Sequence, residues 1–559
     1  MKFNKILKIA AVALCVAPTL SGCIRETFPQ TSTITQEQLG QSSAGLDASL
    51  KGIPSSLMLP SYDPSGNHGD FGYMAHGVWL DHMHHLVTPC TVWNGGPQYA
   101  DRFQHPFYGF GMGPGGAYTY MLWYQNYPNI KNCNDMIAAV DNDKSEYCGI
   151  AKTVRAMLYL DMARLYDPLP AYAPDNENYN VELEAVAGLT VPIVKHTTTE
   201  KEAANNPRAT REEIFEFIFA DLKDAEECLA TYVPTSPNYP SLAAVYALYA
   251  RAYLWLGGFE EGLYANIPTG NSAYAKAAEY ARMSINLAGG AIMSQAEWTD
   301  PTTAFNTLAS SWIWSLQMST DTVYNNLCAF AAHMCPEGLY GYGIIAQPGV
   351  TKKMYERLRD TDWRKSVIFG PEMTYEEFKK HTTLTKAEFE GGEYKISPYT
   401  NFKFRPKNGE HTDYMTANAI TFPLIRLEEM YFIEMEAVLH TSGVDAGWQL
   451  LTAFMATRDS NYVCPFADAE GVLDEIIFQK QVEFWGEGHT LYDFKRLDYG
   501  IDTSNPVDYP VGGANFLSEG RLPWWNTVIP LGEIQVNLGI QANNPDPSSA
   551  LKSLTAMPE

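Results

Sequence analysis

The run Asp81-His82-Met83-His84-His85 holds residue types that bind zinc or move protons. Zinc needs ligands that converge, yet among the histidines only His82 and His85 stand three apart, and no HExxH pattern is present. The run therefore reads as polar loop histidines able to hydrogen bond a ligand, with no metal site. Glu428, Glu429, Glu434 and Glu436 invite comparison with a glycosidase pair. Such a pair must oppose across a gap of about 5–10 Å, whereas 429 and 436 share a face only as seven-apart neighbours on one helix. They read as solvated helix faces. No G-x-S-x-G, P-loop or dinucleotide fingerprint occurs, so neither an enzyme nor a resident cofactor is expected. Acidic loops such as "DTSNPVD", Asp502 to Asp508, carry oxygen ligands of the kind that Ca²⁺ takes.

Aromatic residues offer a different chemistry. The chain has 12 Trp, 34 Tyr and 25 Phe. Sugar rings present apolar C–H faces flanked by hydroxyls, so a glycan site wants Trp or Tyr platforms with Asn, Asp or Arg nearby. "CTVWNGGPQYADR" places Trp93, Asn94, Tyr99 and Arg102 in one loop. Trp298, Trp312, Trp314, Tyr324, Tyr340 and Tyr342 stand among turn formers further on.

The elements that must position these residues are mostly helices. Residues 60–130 mix Gly, Pro, Asn and aromatics without a steady period and read as long ordered loops around short helices. Regular order begins near Tyr147, where Ile150, Val154, Met157, Leu158 and Leu165 recur at three and four residue spacings until Pro168 and Pro170 stop the helix. Thr210 and Glu213 form a capping box for the next one. Two more follow, "LAAVYALYARAYLWLGG" with Ala247 and Ala250, and "SAYAKAAEYARMSIN" with Ala275, Ala278 and Ala281 as small contact residues. Paired helices of this kind resemble degenerate tetratricopeptide units. The helical rhythm lapses over 290–420 and returns at "FPLIRLEEMYFIEMEAVL", "AGWQLLTAFMATRD" and "VLDEIIFQKQVEFWGEGHTLYDFKRLD".

The first 22 residues carry Lys2, Lys5 and Lys8, then an apolar core from Ile9 to Val16 too short to stay in a bilayer as a helix. "LSGC" at Leu20–Cys23 resembles a bacterial lipobox, which makes Cys23 the acylated first residue of the mature chain. Several acyl chains, at about 0.8 kcal/mol per buried CH₂, hold a protein on its membrane. Residues 23–45 read as a lipidated tether and 46–559 as one domain. Losing the leader takes the formal charge from −25 to −28, which repels nucleic acid and anionic lipid. Seven cysteines then remain besides Cys23; an odd number spread this widely reads as buried thiols, with a Cys328 to Cys335 bridge left open.

"GIAKTVRAMLYLDMARLYDPLP", "ATREEIFEFIFADLKDAEECL", "AAVYALYARAYLWLGG", "FPLIRLEEMYFIEMEA", "QKQVEFWGEGHTLYDFKR" and "IPLGEIQVNLGIQANNP" come in the order typical of SusD/RagB-like outer-membrane lipoproteins of Bacteroidetes. The chain resembles that family from the lipobox to the C-terminus. Thr490 and Leu491 stand where members usually carry Arg and Trp, while Glu483, Gly488, His489, Asp493 and Arg496 match. Asp493 and Arg496, three apart on a helix, are expected to pair there, giving the motif a structural role. The resemblance implies a mainly α fold: a tetratricopeptide-like scaffold of helical pairs, here about 147–290 and 420–500, with a loop-rich ligand-binding face built from insertions at about 60–130 and 290–420. It also implies a lipid-anchored lid over a SusC-like TonB-dependent transporter in the outer membrane, facing the cell exterior. Such a lid captures oligosaccharides, or in a RagB-like branch peptides, without chemistry. Family members tend to contact sugar through the early loop, here Trp93 to Arg102, and through the insertion that matches Trp298 to Tyr342.

Overall fold

Each longer helix starts where a side chain can satisfy its free N–H groups. Thr210 accepts from the Glu213 N–H, and the Glu213 carboxylate takes the Thr210 N–H at 2.8 Å, so the expected capping box forms. In the computed structural model, residues 42–61, 68–90, 111–174, 176–391, 394–502 and 517–550 are described. Their longer helices are α1 (Ser43–Met58), α2 (Tyr73–Met83), α3 (Ala117–Ala139), α4 (Glu146–Tyr166), α5 (Arg211–Leu229), α6 (Leu242–Gly257), α7 (Gly270–Ala288), α8 (Leu427–Ser442), α9 (Val444–Met455), α10 (Ala469–Glu483) and α11 (Thr490–Leu497). Helices α4 and α5, α6 and α7, and α8 and α9 pack as sequential pairs, with α7 also against α8. The fold is mainly α, as expected. None of the described helices is long and apolar enough to cross a membrane.

Helix α4 is buried from Cys148 to Tyr166 on every side. Its polar residues are therefore paired: Arg155 grips Asp221 of α5 with two bonds of 2.7 and 2.8 Å, and Lys152 reaches Asp224. On α7 the contact residues are Ala273, Ala277 and Ala281, one turn apart. Ala275, expected on that face, is exposed and Ala278 only half-buried, because a four-residue step tracks one side of the helix.

Two further expectations change. Residues 117–139 form one long helix, α3, which accommodates Pro128 and buries Trp123, Ile130 and Met136. Mixed polar and aromatic composition hid its period. "FPLIR" is strand, not the start of a helix: β2 (Trp312–Gln317) pairs antiparallel with β4 (Thr421–Arg426), Leu316 opposite Phe422 and Trp314 opposite Ile425. Every residue of β4 is buried, so no alternation marks it. A second short pair joins β1 (Thr88–Pro89) to β3 (Pro348–Gly349). One buried apolar cluster runs from Leu50 to Ile540, and a smaller one, with Phe432, Phe454 and Phe484, ties α8, α9 and α10 together. None of the seven described cysteines forms a disulfide; Cys328 and Cys335 are both buried.

Candidate functional site

The charged motifs prove to be the interior of the molecule. Glu428, Glu429, Glu434 and Glu436, read from sequence as solvated, are all buried. Glu429 receives two bonds from Arg251 of α6, at 2.5 and 2.7 Å. Glu436 faces Arg496 at 2.6 Å, Glu434 pairs with Arg282, and Glu428 takes the Met293 N–H at 2.7 Å. The sequence pattern misled because helix α8 is packed on several sides, so carboxylates on more than one face meet arginines instead of water.

The deepest part of this network centres on Glu483. Arg364 and Arg458 approach its carboxylate at 3.0 and 3.1 Å, and Arg426 at 3.3 Å. Glu487 binds Arg426 at 2.9 Å and Lys403 at 2.6 Å. With Asp362 and Glu428, four anions face the four cations Arg364, Arg426, Arg458 and Lys403, all buried. Burial by itself would raise the Glu483 pKa, but Arg458, Arg426 and Arg364 outweigh it and hold the carboxyl well below the usual range. Lys403 is lowered to about 8, because burial outweighs the pull of Glu487.

"DHMHHL" serves the same structural end, contrary to the loop reading. Asp81 and His82 lie in α2 and His84 and His85 directly after it, all buried. Asp81 accepts the Gly486 and Gly488 N–H groups at 2.7 and 3.2 Å, while His84 bonds the Leu80 carbonyl at 2.7 Å and the Thr490 hydroxyl at 2.8 Å. Burial lowers His82 to about 3 and His84 to about 4, so both are neutral at pH 7. The cluster locks α2 onto the turn before α11. Among the described residues no group of three or more His, Cys, Asp or Glu is placed to hold a metal ion. Asp493 and Arg496 pair at 3.0 Å, as expected.

A second cluster looks more like a reaction site. Tyr73, His76, Asp161, Arg164 and Tyr492 surround a cavity of about 50 Å³. Asp161 is held by Tyr73 and Arg164, both at 2.5 Å, and the Arg164 guanidinium lies 3.5 Å from the Tyr492 ring centre. That volume holds a water or two and no substrate.

The sequence-predicted aromatic residues divide three ways. Trp298, Trp312 and Trp314 are buried: Trp298 packs edge-on against Phe305 and Trp363, and the Trp314 indole donates to the Asn238 carbonyl at 3.1 Å. Rings enclosed in this way have no face left for a sugar, so their role in this structure is core packing. Tyr340 and Tyr342 flank a short turn. Tyr340 is half-buried and its hydroxyl donates to Asn418 at 2.9 Å; Tyr342 is buried, with its hydroxyl 2.7 Å from His68 Nδ1. Tyr324 is 49% exposed, and Asn326, two residues on, reaches the Tyr340 carbonyl. Tyr342 packs in a small apolar cluster with Ala346, whose carbonyl accepts the Cys90 N–H at 2.9 Å. Trp93, Asn94, Tyr99 and Arg102, like Cys23, lie outside the described residues. Sequence reading passed over Trp363, the tryptophan of "RDTDWRKS", whose half-exposed ring lines an open cleft. A tryptophan set among charges and turn formers was the available signal.

These features define a class: a helical protein with an ion-paired interior and an open cleft lined by Trp363. Over residues 112–254 the chain matches a SusD-like family described as starch-binding and associating with the outer membrane. No curated protein matches it. Solved structures share its fold. A SusD-like carbohydrate binding protein from Bacteroides vulgatus superposes with a TM-score of 0.66 at 19% identity, covering 89% of this chain and 97% of its own. A SusD superfamily protein from Bacteroides thetaiotaomicron gives 0.61 at 18%, with 90% and 99% covered, and a SusD-like protein from Bacteroides fragilis 0.63 at 15%, with 91% and 98%. The chain thus shares the fold of SusD-like proteins, and its residues 112–254 match the SusD-like family model.

Proposed function

We propose that the protein is a cell-surface lipoprotein, anchored through Cys23, that binds oligosaccharides or polysaccharides and delivers them to a partner TonB-dependent transporter as its lid, without turnover. The observation that carries this reading is the SusD-like fold along almost the entire chain, shared with a Bacteroides vulgatus protein named as carbohydrate binding. Tyr324, half-exposed and two residues before the Asn326 that bonds the Tyr340 carbonyl, supports it by offering a ring to a sugar's C–H face. Trp93, Asn94, Tyr99 and Arg102 are proposed to contribute from the early loop, with Asn94 and Arg102 fixing the hydroxyls. The 46–559 body acts as one binding unit, and the tether of 23–45 keeps it beside its channel, where a high effective concentration makes modest affinity sufficient.

The test uses Trp93→Ala and Tyr324→Ala. Each is expected to weaken binding of the recognised glycan by about tenfold, the loss of one aromatic platform together with its ordering of neighbours. Circular dichroism should be unchanged, since Tyr324 is half in solvent. Unaltered affinity in both variants would contradict this placement of the site.

A further inference from the structure

An open cleft of about 730 Å³ lies between the short turn Trp363–Val367 and the end of α9. It has an apolar side and a polar side. Trp363 lines it with a ring that is fixed in place: the indole N–H donates to the Thr457 carbonyl at 2.9 Å, the backbone N–H to the Arg458 carbonyl at 3.2 Å, and Trp298 packs edge-on behind. Tyr355 and Met373 continue the apolar lining, both half-buried. Thr361, Thr457, Ser460 and Gln295 are exposed around the opening and present hydroxyl and amide groups.

The charges at the cleft are already matched. Lys365 bonds Asp360 at 2.7 Å and the Leu358 carbonyl at 2.8 Å, with its ammonium 4.4 Å from the Tyr355 ring centre. Arg458 is committed to Glu483, and Asp362 to Arg364. An anionic ligand would find no unpaired cation and a cationic one no unpaired carboxylate. An uncharged polyhydroxy ligand fits: its C–H faces meet the rings, and its hydroxyls can donate to and accept from the rim. The volume lies within the range of small-molecule sites, about 300–1,000 Å³, and suits a short oligosaccharide. Because the buried network around Glu483 holds Arg364 and Arg458 beneath it, the cleft is ordered before a ligand arrives, which lowers the cost of binding.

We propose that this cleft is a second carbohydrate-contact site, sharing no residue with the segment from Tyr324 to Tyr342 and taking uncharged oligosaccharides. A chain with two such contacts engages a long polysaccharide at two points, and the second contact becomes intramolecular once the first is made. The ligand class follows from the cleft's own groups and does not depend on the lid role.

Amide hydrogen exchange on the mature chain tests it, with maltoheptaose, xylohexaose, cellohexaose and a tryptic peptide digest as separate probes. One of the oligosaccharides is expected to slow exchange over 355–366 and 456–461. Trp363→Ala should weaken that protection by at least about tenfold. Ser460→Arg, which fills the opening from an exposed position, should do the same without disturbing the ring. The proposal is overturned if no oligosaccharide protects these segments, if only peptides do, or if protection persists in the Ser460→Arg variant. Protection confined to 324–346 would uphold the first site while refuting this one.

Discussion

Glu483→Gln is expected to cost about 3–5 kcal/mol, the loss that follows removal of one partner from a buried charge cluster. Arg364, Arg426 and Arg458 all lie within 3.3 Å of that carboxylate and are themselves buried. Glutamine keeps the shape but leaves the three guanidiniums with one negative charge fewer. The pH dependence has a definite sign. The folded pKa of Glu483 is depressed, as is that of Glu429, so their stabilisation is complete above the unfolded value of about 4.3 and is lost as pH falls below it. Urea denaturation from pH 7 down to pH 3 should show wild-type stability falling below about pH 4.3, with a shallower fall in the variant. A variant within about 1 kcal/mol of wild type at pH 7 would contradict the role given to this network.

The second large effect is expected at Gly488. Its φ is +77°, and a Cβ there would sit 2.2 Å from the Gly77 Cα and 2.9 Å from the Gly77 carbonyl oxygen. Gly77 belongs to α2, so the contact is backbone against backbone and no rotamer relieves it. Gly488→Ala should cost about 2–5 kcal/mol, from left-handed strain together with forced separation of α2 from the turn. The Gly486 and Gly488 N–H bonds to Asp81 would be disturbed at the same time. Gly289→Ala is the control for strain alone, having φ +64° with open space around its Cβ position. Equal melting temperatures for the two variants would refute the packing part of the argument.

Helix pairs α4 to α7 are legible from periodicity, caps and terminating residues, because local chemistry decides them. The Thr210 box and the Pro168 stop need no tertiary partner. Strand β4 was not legible, since "TFPLIR" is apolar on both faces and its identity depends on pairing with β2, more than 100 residues earlier. Glu428 and Glu436 misled for a related reason. A carboxylate's burial is decided by arginines such as 458 and 496 that only the fold brings near. Aromatic content marked a ligand-binding class without separating core from surface: Trp298 and Trp314 are interior, whereas Trp363, not singled out from sequence, opens onto a cleft. Composition reports how many rings a chain has, and only packing decides which of them meet solvent.

Glycan capture without turnover is the role proposed for this protein. Its most direct test incubates the soluble body beginning at Ile24 with plant, host and microbial polysaccharides and with a peptide mixture, scoring retention and degradation together. Retention of one glycan class, released intact, is the predicted result. Breakdown of the retained material, or retention of peptides alone, would contradict it.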